Sequence, residues 1–327
     1  MTIAVQDFRE RMEDKQSVFK TEVLGVKQMG WKADQPRPHI LPEESWSLNL
    51  WDEIAYPAVQ HFAQEQIAWH SKKNDMLSSQ VMSVNLFFPL RDHLDVLKPW
   101  LSRHYDGVVK VTGIEFEYVG PDNYFNERGW RGHNRTSADV LITWENKDDR
   151  KDVLLVNFKF TEPSFGECSQ QTNPDKRRCL SASRVIASPR NQCHKSEIGR
   201  AYWSMILATD SPFHRRELTL GHYCPFRYDF YELMRYQLLS HALEKDFDAG
   251  IETAEVAVMY HAEADRLLDM DHPFAGDHSP LKAWPRLLKT PSTFRAFTIQ
   301  DFLKTIDAEL PSDLAEWRAY LKQRYGV

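Results

Sequence analysis

The chemistry-bearing residues of this chain gather on one stretch, Thr136–Glu162, which reads TSADVLITWENKDDRKDVLLVNFKFTE. Asp139 heads a first apolar run that ends at Trp144, and Val153–Phe160 forms a second. Glu145–Asp152 between them is polar and charged, as a solvated hairpin connection requires. Side chains of a strand alternate between faces. Leu154, Val156, Phe158 and Phe160 therefore share an apolar face, and Leu155, Asn157, Lys159 and Thr161 share the other. A buried amide and a buried ammonium are costly unless partnered. Asp139, on the neighbouring strand, is placed to be that partner. Two chemistries fit these types. One is a structural ion pair across the strands. The other is an open oxygen-ligand site for a hard cation, formed by Asp139, the Asn157 side chain and the Phe158 backbone carbonyl, with Lys159 pointing into it.

Residues outside the hairpin extend the pattern. They are Trp69-His70, Ser78-Ser79-Gln80, Asn85-Leu86-Phe87-Phe88-Pro89-Leu90, the Thr136–Asp139 block and Lys159-Phe160-Thr161-Glu162. Together with the acid, hairpin and x-Lys strand, this set resembles the PD-(D/E)XK nuclease superfamily, in particular a bacterial restriction-endonuclease-like group. The resemblance covers roughly residues 60 to 245. It implies phosphodiester hydrolysis by water activated at Mg²⁺ or Mn²⁺ held by carboxylates, with lysine aiding the water or the developing charge. DNA is the implied substrate ahead of RNA, and restriction or anti-phage defence the implied setting. Asp139 would be the first acid and Lys159 the lysine. The position two before that lysine is normally Glu or Asp, and here it is Asn157, a neutral and weaker ligand for a hard cation. Three readings of Asn157 stand side by side: an inactivating substitution, a diverged enzyme, or a carboxylate supplied from Glu162, Glu117 or Glu65. Gln80 and Gln237 are further accessory candidates. His70 and Gln80 are polar residues in apolar surroundings, suited to holding phosphate or to satisfying buried backbone. The competing class of function is a non-cleaving nucleic-acid-binding module on a nuclease fold.

The four cysteines, Cys168, Cys179, Cys193 and Cys224, all fall between the lysine strand and the helix expected from Tyr228. No pair has C-x-x-C spacing. Their confinement to one irregular segment, with His194 and His222 nearby, nonetheless makes them candidates for a second metal site holding Zn²⁺ or an iron–sulfur cluster. The alternative is four reduced free thiols. Lys176, Arg177, Arg178, Arg184, Arg190 and Lys195 are interspersed with them, a basic run able to track a nucleic-acid backbone.

The elements that must position these residues read as follows. Helices are expected over 4–20, from Ser47 to about Ile67 with a kink at Pro57, over 76–90, 94–104, 196–208, 228–243 and 301–308, and over 312–323 with Ser312 as its cap. Strands are expected at 108–119, 136–144, 152–161, 253–261 and 294–299. Residues 32–42 read as a connector, and 163–195 as a long irregular loop. This order gives an α/β protein with a mixed central sheet flanked by helices, the last core strand parallel to its neighbour after a helical crossover; it matches the restriction-endonuclease-like core that the resemblance implies. The expected organisation is a single nuclease-like domain over 1–327, its core at 60–261, with helical elaborations at 1–60 and 262–327. Hydrophobic residues make up 42% and charged residues 27% of the 327, ordinary for a globular chain. The net charge of −6 argues against a protein that merely coats nucleic acid, whereas a nuclease needs only local positive charge. No run is long and apolar enough for a bilayer, and MTIAVQDFRERMEDKQ lacks a secretion-signal layout. A cytoplasmic protein without membrane association is expected.

Overall fold

The structure is a computed structural model that describes residues 7–169, 179, 181–227, 229–264 and 279–327. A small antiparallel hairpin, β1 Gly30–Lys32 and β2 Gln35–Arg37, overlaps the start of the expected connector. The main sheet has five strands: β3 Val108–Tyr118, β4 Ala138–Asn146, β5 Lys151–Lys159, β6 Ile251–Tyr260 and β7 Phe294–Thr298. They stand in sequence order, with β3–β4 and β4–β5 antiparallel and β5–β6 and β6–β7 parallel. The β4–β5 turn is tied by the Asn146 side chain, whose Oδ1 accepts from the Asp148 and Arg150 amides at 3.0 and 3.2 Å. A parallel step cannot be made by a tight turn. Between β5 and β6 the chain therefore crosses over through the irregular segment and the helix Phe230–Lys245.

β5 is the centre of the sheet and is buried at every position after Lys151. Its alternation sorts its two faces. The Phe158 ring meets Phe87 of the helix Ser79–Phe87, centroids 6.4 Å apart. Asn157 and Lys159, pointing the other way, both meet Glu232 on the helix Phe230–Lys245. That helix is buried on most of its sides, which removes the amphipathic stripe a surface helix would show.

Both ends of the described chain close over the Phe87 side. Phe160 packs against Phe8 and Tyr325, with centroids 6.1 and 5.5 Å away. Asn85 is fully buried and ties three segments: it accepts from the Trp51 amide at 2.8 Å and donates to Asn49 O and the Tyr325 hydroxyl at 3.0 and 2.8 Å. Arg324, also fully buried, donates to the Asn49 carbonyl at 2.6 Å and to the Gln16 side chain at 3.2 Å, and also bonds Tyr320 and the Asn49 side chain.

Several local expectations change. The stretch 163–195, expected as irregular loop, holds the short helices Ala182–Ala187 and Pro189–Gln192. The helix Asp52–Gln64 runs through Pro57 without a break. Pro57 is exposed while Ile54, Ala58 and Phe62 are buried, so the carbonyl freed by proline faces water and the packed stripe is undisturbed. The helix expected over 196–208 is divided at Gly199, whose φ of 86° is left-handed, leaving His194–Glu197 and Tyr202–Ile206. Ser312 opens a 3₁₀ turn over Ser312–Leu314 rather than capping the helix Ala315–Tyr325. Residues 4–6 of the first expected helix and Tyr228 lie outside the described residues; the helices begin at Phe8 and Phe230.

Arg324 gives the first test. Truncating it strands buried Asn49 and Gln16 acceptors, each at a cost of about 1–3 kcal/mol. Arg324→Met is expected to lower the unfolding free energy by about 3 kcal/mol, seen as a lower urea midpoint at unchanged slope.

Candidate active site

Asp139 stands one residue into β4, beside the middle of β5. Its Oδ2 accepts the Phe158 amide at 2.6 Å, and its own amide donates to the Tyr236 hydroxyl at 3.0 Å. It is thus pinned between the central strand and the helix Phe230–Lys245. The β3–β4 register pairs Phe116 with Val140 and Tyr118 with Ala138, which sets Glu117 opposite Asp139.

Glu117 breaks the alternation of its strand. Phe116 and Glu117 are consecutive yet both buried, and Glu117 has a φ of 48°. A non-glycine residue in that left-handed region is strained by about 1–3 kcal/mol and needs external support. Arg131 supplies it, gripping the Phe116 and Glu117 carbonyls at 2.8 and 3.2 Å. The kink aims the Glu117 carboxylate inward, where Gln80 Nε2 and Ser137 Oγ each donate to it at 2.7 Å and His70 Nε2 lies 3.4 Å away. Gln80 in turn donates to Ala68 O and accepts the His70 amide at 2.7 Å. Trp69 stacks on Phe62 at 4.0 Å. His70 of the Trp69-His70 motif and Gln80 of the Ser78–Gln80 motif therefore hold Glu117.

Glu232 completes the group. Its Oε1 accepts from Asn157 Nδ2 and its Oε2 from Lys159 Nζ, both at 2.9 Å. Gly166 lets the chain pass directly over this carboxylate: its φ is 95°, and a β-carbon there would collide with Glu232. Glu117, Asp139 and Glu232 line one cavity of ≈ 250 Å³ together with His70, Ser137, Arg235 and Tyr236. Arg235 is set by Thr136 at 2.8 Å and by Glu127 at 3.6 Å. A larger cavity of ≈ 610 Å³ adjoins it, sharing His70, Gly132 and Asn134 and adding Arg9, Lys32 and Lys72. A further cavity of ≈ 660 Å³ at Tyr124, Asp210 and His241 shares no lining residue with the carboxylate group.

The electrostatics follow from three acids lining one cavity. Burial raises the Asp139 pKa to about 7, and the charges of Glu117 and Glu232 add to it against the pull of Lys159. Burial would lower Lys159, but the carboxylates of Glu232, Asp139 and Glu162 outweigh it and the shift is upward. His70 behaves alike: burial pushes it down, and the hydrogen bond and charge of Glu117 raise it further than that. The site therefore holds a charged ammonium beside carboxylates that repel one another.

Not every candidate arrives there. Glu65 is directed to Arg131 at 3.4 Å, and is not part of the cavity lining. Glu162 folds back to accept the Phe160 amide at 2.6 Å and lines the adjoining cavity. Gln237 sits on the same helix as Glu232 but donates to Thr293 Oγ1 at 3.3 Å, away from the carboxylates. Glu232 sets a carboxylate against Asn157, 2.9 Å from its Nδ2. Sequence reasoning did not name Glu232; its signal was an acidic residue in the first turn of the helix that follows the core strands. Of the basic run, Lys176, Arg177 and Arg178 lie outside the described residues. Among the described residues, no three His, Cys, Asp or Glu side chains are placed to share one ion. Lys159 and Asn157 occupy the Glu232 carboxylate, and Gln80, Ser137 and His70 occupy Glu117.

A mixed five-stranded sheet flanked by helices, carrying carboxylates and a lysine on its central strands, is consistent with a restriction-endonuclease-like fold. Residues 12–326 match the family described as Restriction Endonuclease associating with ARP, and the chain belongs to that family. Membership supports a nuclease-like role and nucleic acid as the partner. No curated protein and no solved structure matches the chain. Among the described residues, no helix is long and apolar enough to cross a membrane.

Asp139 yields a pH prediction. Its folded pKa of about 7 lies above the unfolded value of about 3.9. The folded chain therefore binds this proton more tightly, and the contribution of Asp139 to stability falls as pH rises from about 4 to about 7. Asp139→Asn keeps an acceptor for the Phe158 amide and removes the charge. It is expected to raise unfolding free energy by about 1–2 kcal/mol at pH 7.5 and to do little at pH 4. Urea melts at the two pH values read this directly; equal effects at both would exclude the carboxylate's ionisation as the cause.

Proposed function

We propose that the chain is a metal-dependent nuclease of the PD-(D/E)XK type that hydrolyses phosphodiester bonds, with DNA as its substrate and restriction or anti-phage defence as its setting. The observation that carries this reading is Glu232, which brings a carboxylate from the helix to the place where Asn157 has none. Glu117, Asp139 and Glu232 are hard oxygen donors suited to Mg²⁺ or Mn²⁺. Asn157 Oδ1 is buried with no hydrogen-bond partner, an oxygen still open to a cation or its water, and the Phe158 carbonyl is the remaining backbone donor. When bound, the cation supplies charge neutralisation and an acidified water. Lys159 is charged and held at the edge of the carboxylate group, where its ammonium orients the attacking water or steadies the charge developing on phosphate. Gln80, Ser137 and His70 orient Glu117. Arg9, Lys32 and Lys72 along the adjoining cavity fit backbone phosphates on either side of the cut. The non-cleaving alternative lacks a comparable observation, since it gives no reason for three acids lining one cavity.

The test exploits the relocated carboxylate. Glu232→Gln is expected to reduce Mg²⁺-dependent cleavage of plasmid and single-stranded DNA by about 100-fold or more, as loss of a charged group at a transition state does. Asn157→Glu alone should also reduce cutting, because two carboxylates would then contend for one place. The double change Asn157→Glu/Glu232→Gln should recover activity above either single variant. Nucleic-acid binding, measured in Ca²⁺, should persist in all three. Parent-like cutting by Glu232→Gln would remove this residue from the mechanism, and no cutting of any substrate by the parent would favour the binding module.

A further inference from the structure

We propose that Cys168, Cys179, Cys193 and Cys224 form a tetrathiolate site for a thiophilic metal, separate from the carboxylate group and structural in purpose. These are all the cysteines of the chain, and all four are buried and unpaired by disulfides. The backbone draws them together. The Cys224 amide donates to Cys179 O at 3.1 Å, the Cys168 amide to Arg227 O at 3.2 Å, and the Arg227 amide to Cys224 O at 3.1 Å. The turn Cys224–Arg227 is thus gripped by Cys179 on one side and Cys168 on the other. The Cys179 sulfur lies 3.9 Å from the carbonyl oxygen of Gln192, the residue before Cys193.

Four cysteines serving only as small hydrophobes would not need their backbones tied to one another in this way. The sulfurs are neighbours rather than a closed shell, since among the described residues no three ligands yet share one point. A metal would have to draw them in. The segment needs such a fastening: its helices, Ala182–Ala187, Pro189–Gln192, His194–Glu197 and Tyr202–Ile206, have four to six residues, too few to be stable alone. It also borders the other site. Cys168 lies two residues after Gly166, which covers Glu232. Cys224 precedes Asp229, which accepts the Phe165 amide at 3.3 Å and stands just before the helix bearing Glu232.

The test is metal content, which does not depend on cutting. The full chain, purified anaerobically without chelator, is expected to carry about one zinc ion, or iron with acid-labile sulfide and visible charge-transfer absorption, per chain. Either metal supports the site and the spectrum tells them apart. Titrating the parent with a mercurial should release the metal in step with modification of four thiols. Cys179→Ser and Cys224→Ser should each hold at least about ten-fold less metal. If either variant is insoluble, the mercurial titration of the parent decides alone. Metal below about one-tenth per chain with four freely reacting thiols would overturn the proposal, and so would full metal content in both variants.

Discussion

The contact on which the arrangement turns is the double engagement of Glu232 by Asn157 and Lys159. A lysine at the end of a buried central strand is untenable as a lone charge, and the strand cannot shed it. Glu232 answers it at 2.9 Å and uses its second oxygen for Asn157 at the same distance. The bond therefore fixes more than an ion pair. It sets the rotation of the helix Phe230–Lys245 on the sheet, and with it the Tyr236 hydroxyl that meets the Asp139 amide. Helix register, strand and acid are locked by one carboxylate.

Strain is stored on the opposite side of the same cavity. Glu117 is held at a positive φ by Arg131 and its carboxylate is oriented by Gln80 and Ser137. Three acids lining one cavity repel, and Asp139, whose pKa is raised first by its burial, is raised further by the charges of Glu117 and Glu232. Proteins that keep mutually repelling charges in a buried space give up stability there, and such sites are where function is commonly found. The positive residues that could relieve the repulsion are already partly committed, Lys159 to Glu232 and Arg235 to Glu127 and Thr136.

What could be read from the sequence was whatever followed a regular period. The alternation in Val153–Phe160 places Asn157 and Lys159 on one face, and the structure has them there, both on Glu232. The mixed sheet and the parallel step after the helical crossover were legible from strand spacing alone. Glu117 was recognisable as a candidate acid but not as a buried one, because a strained φ reverses its side chain against the strand's period. Glu232 was invisible to periodicity, since its helix is buried on most sides and shows no polar stripe to mark a special position. Gln237 drew attention on that helix for its residue type, while the rotation set by Lys159 turns it to Thr293. His70 and Gln80 were legible as polar residues in apolar surroundings, but the partner they serve is far away in sequence.

Asn157 then has a physical reason beyond loss of a ligand. Asn157 Nδ2 and Glu232 Oε1 are 2.9 Å apart, so a carboxylate at 157 would set two anionic oxygens at hydrogen-bond distance with no proton between them. Like charges that close do not both ionise. An amide at 157 is the group that keeps the shape, donates to the incoming acid and leaves one carbonyl oxygen unengaged. The strand amide and the helix carboxylate are complementary halves of one arrangement, each residue type accounting for the other.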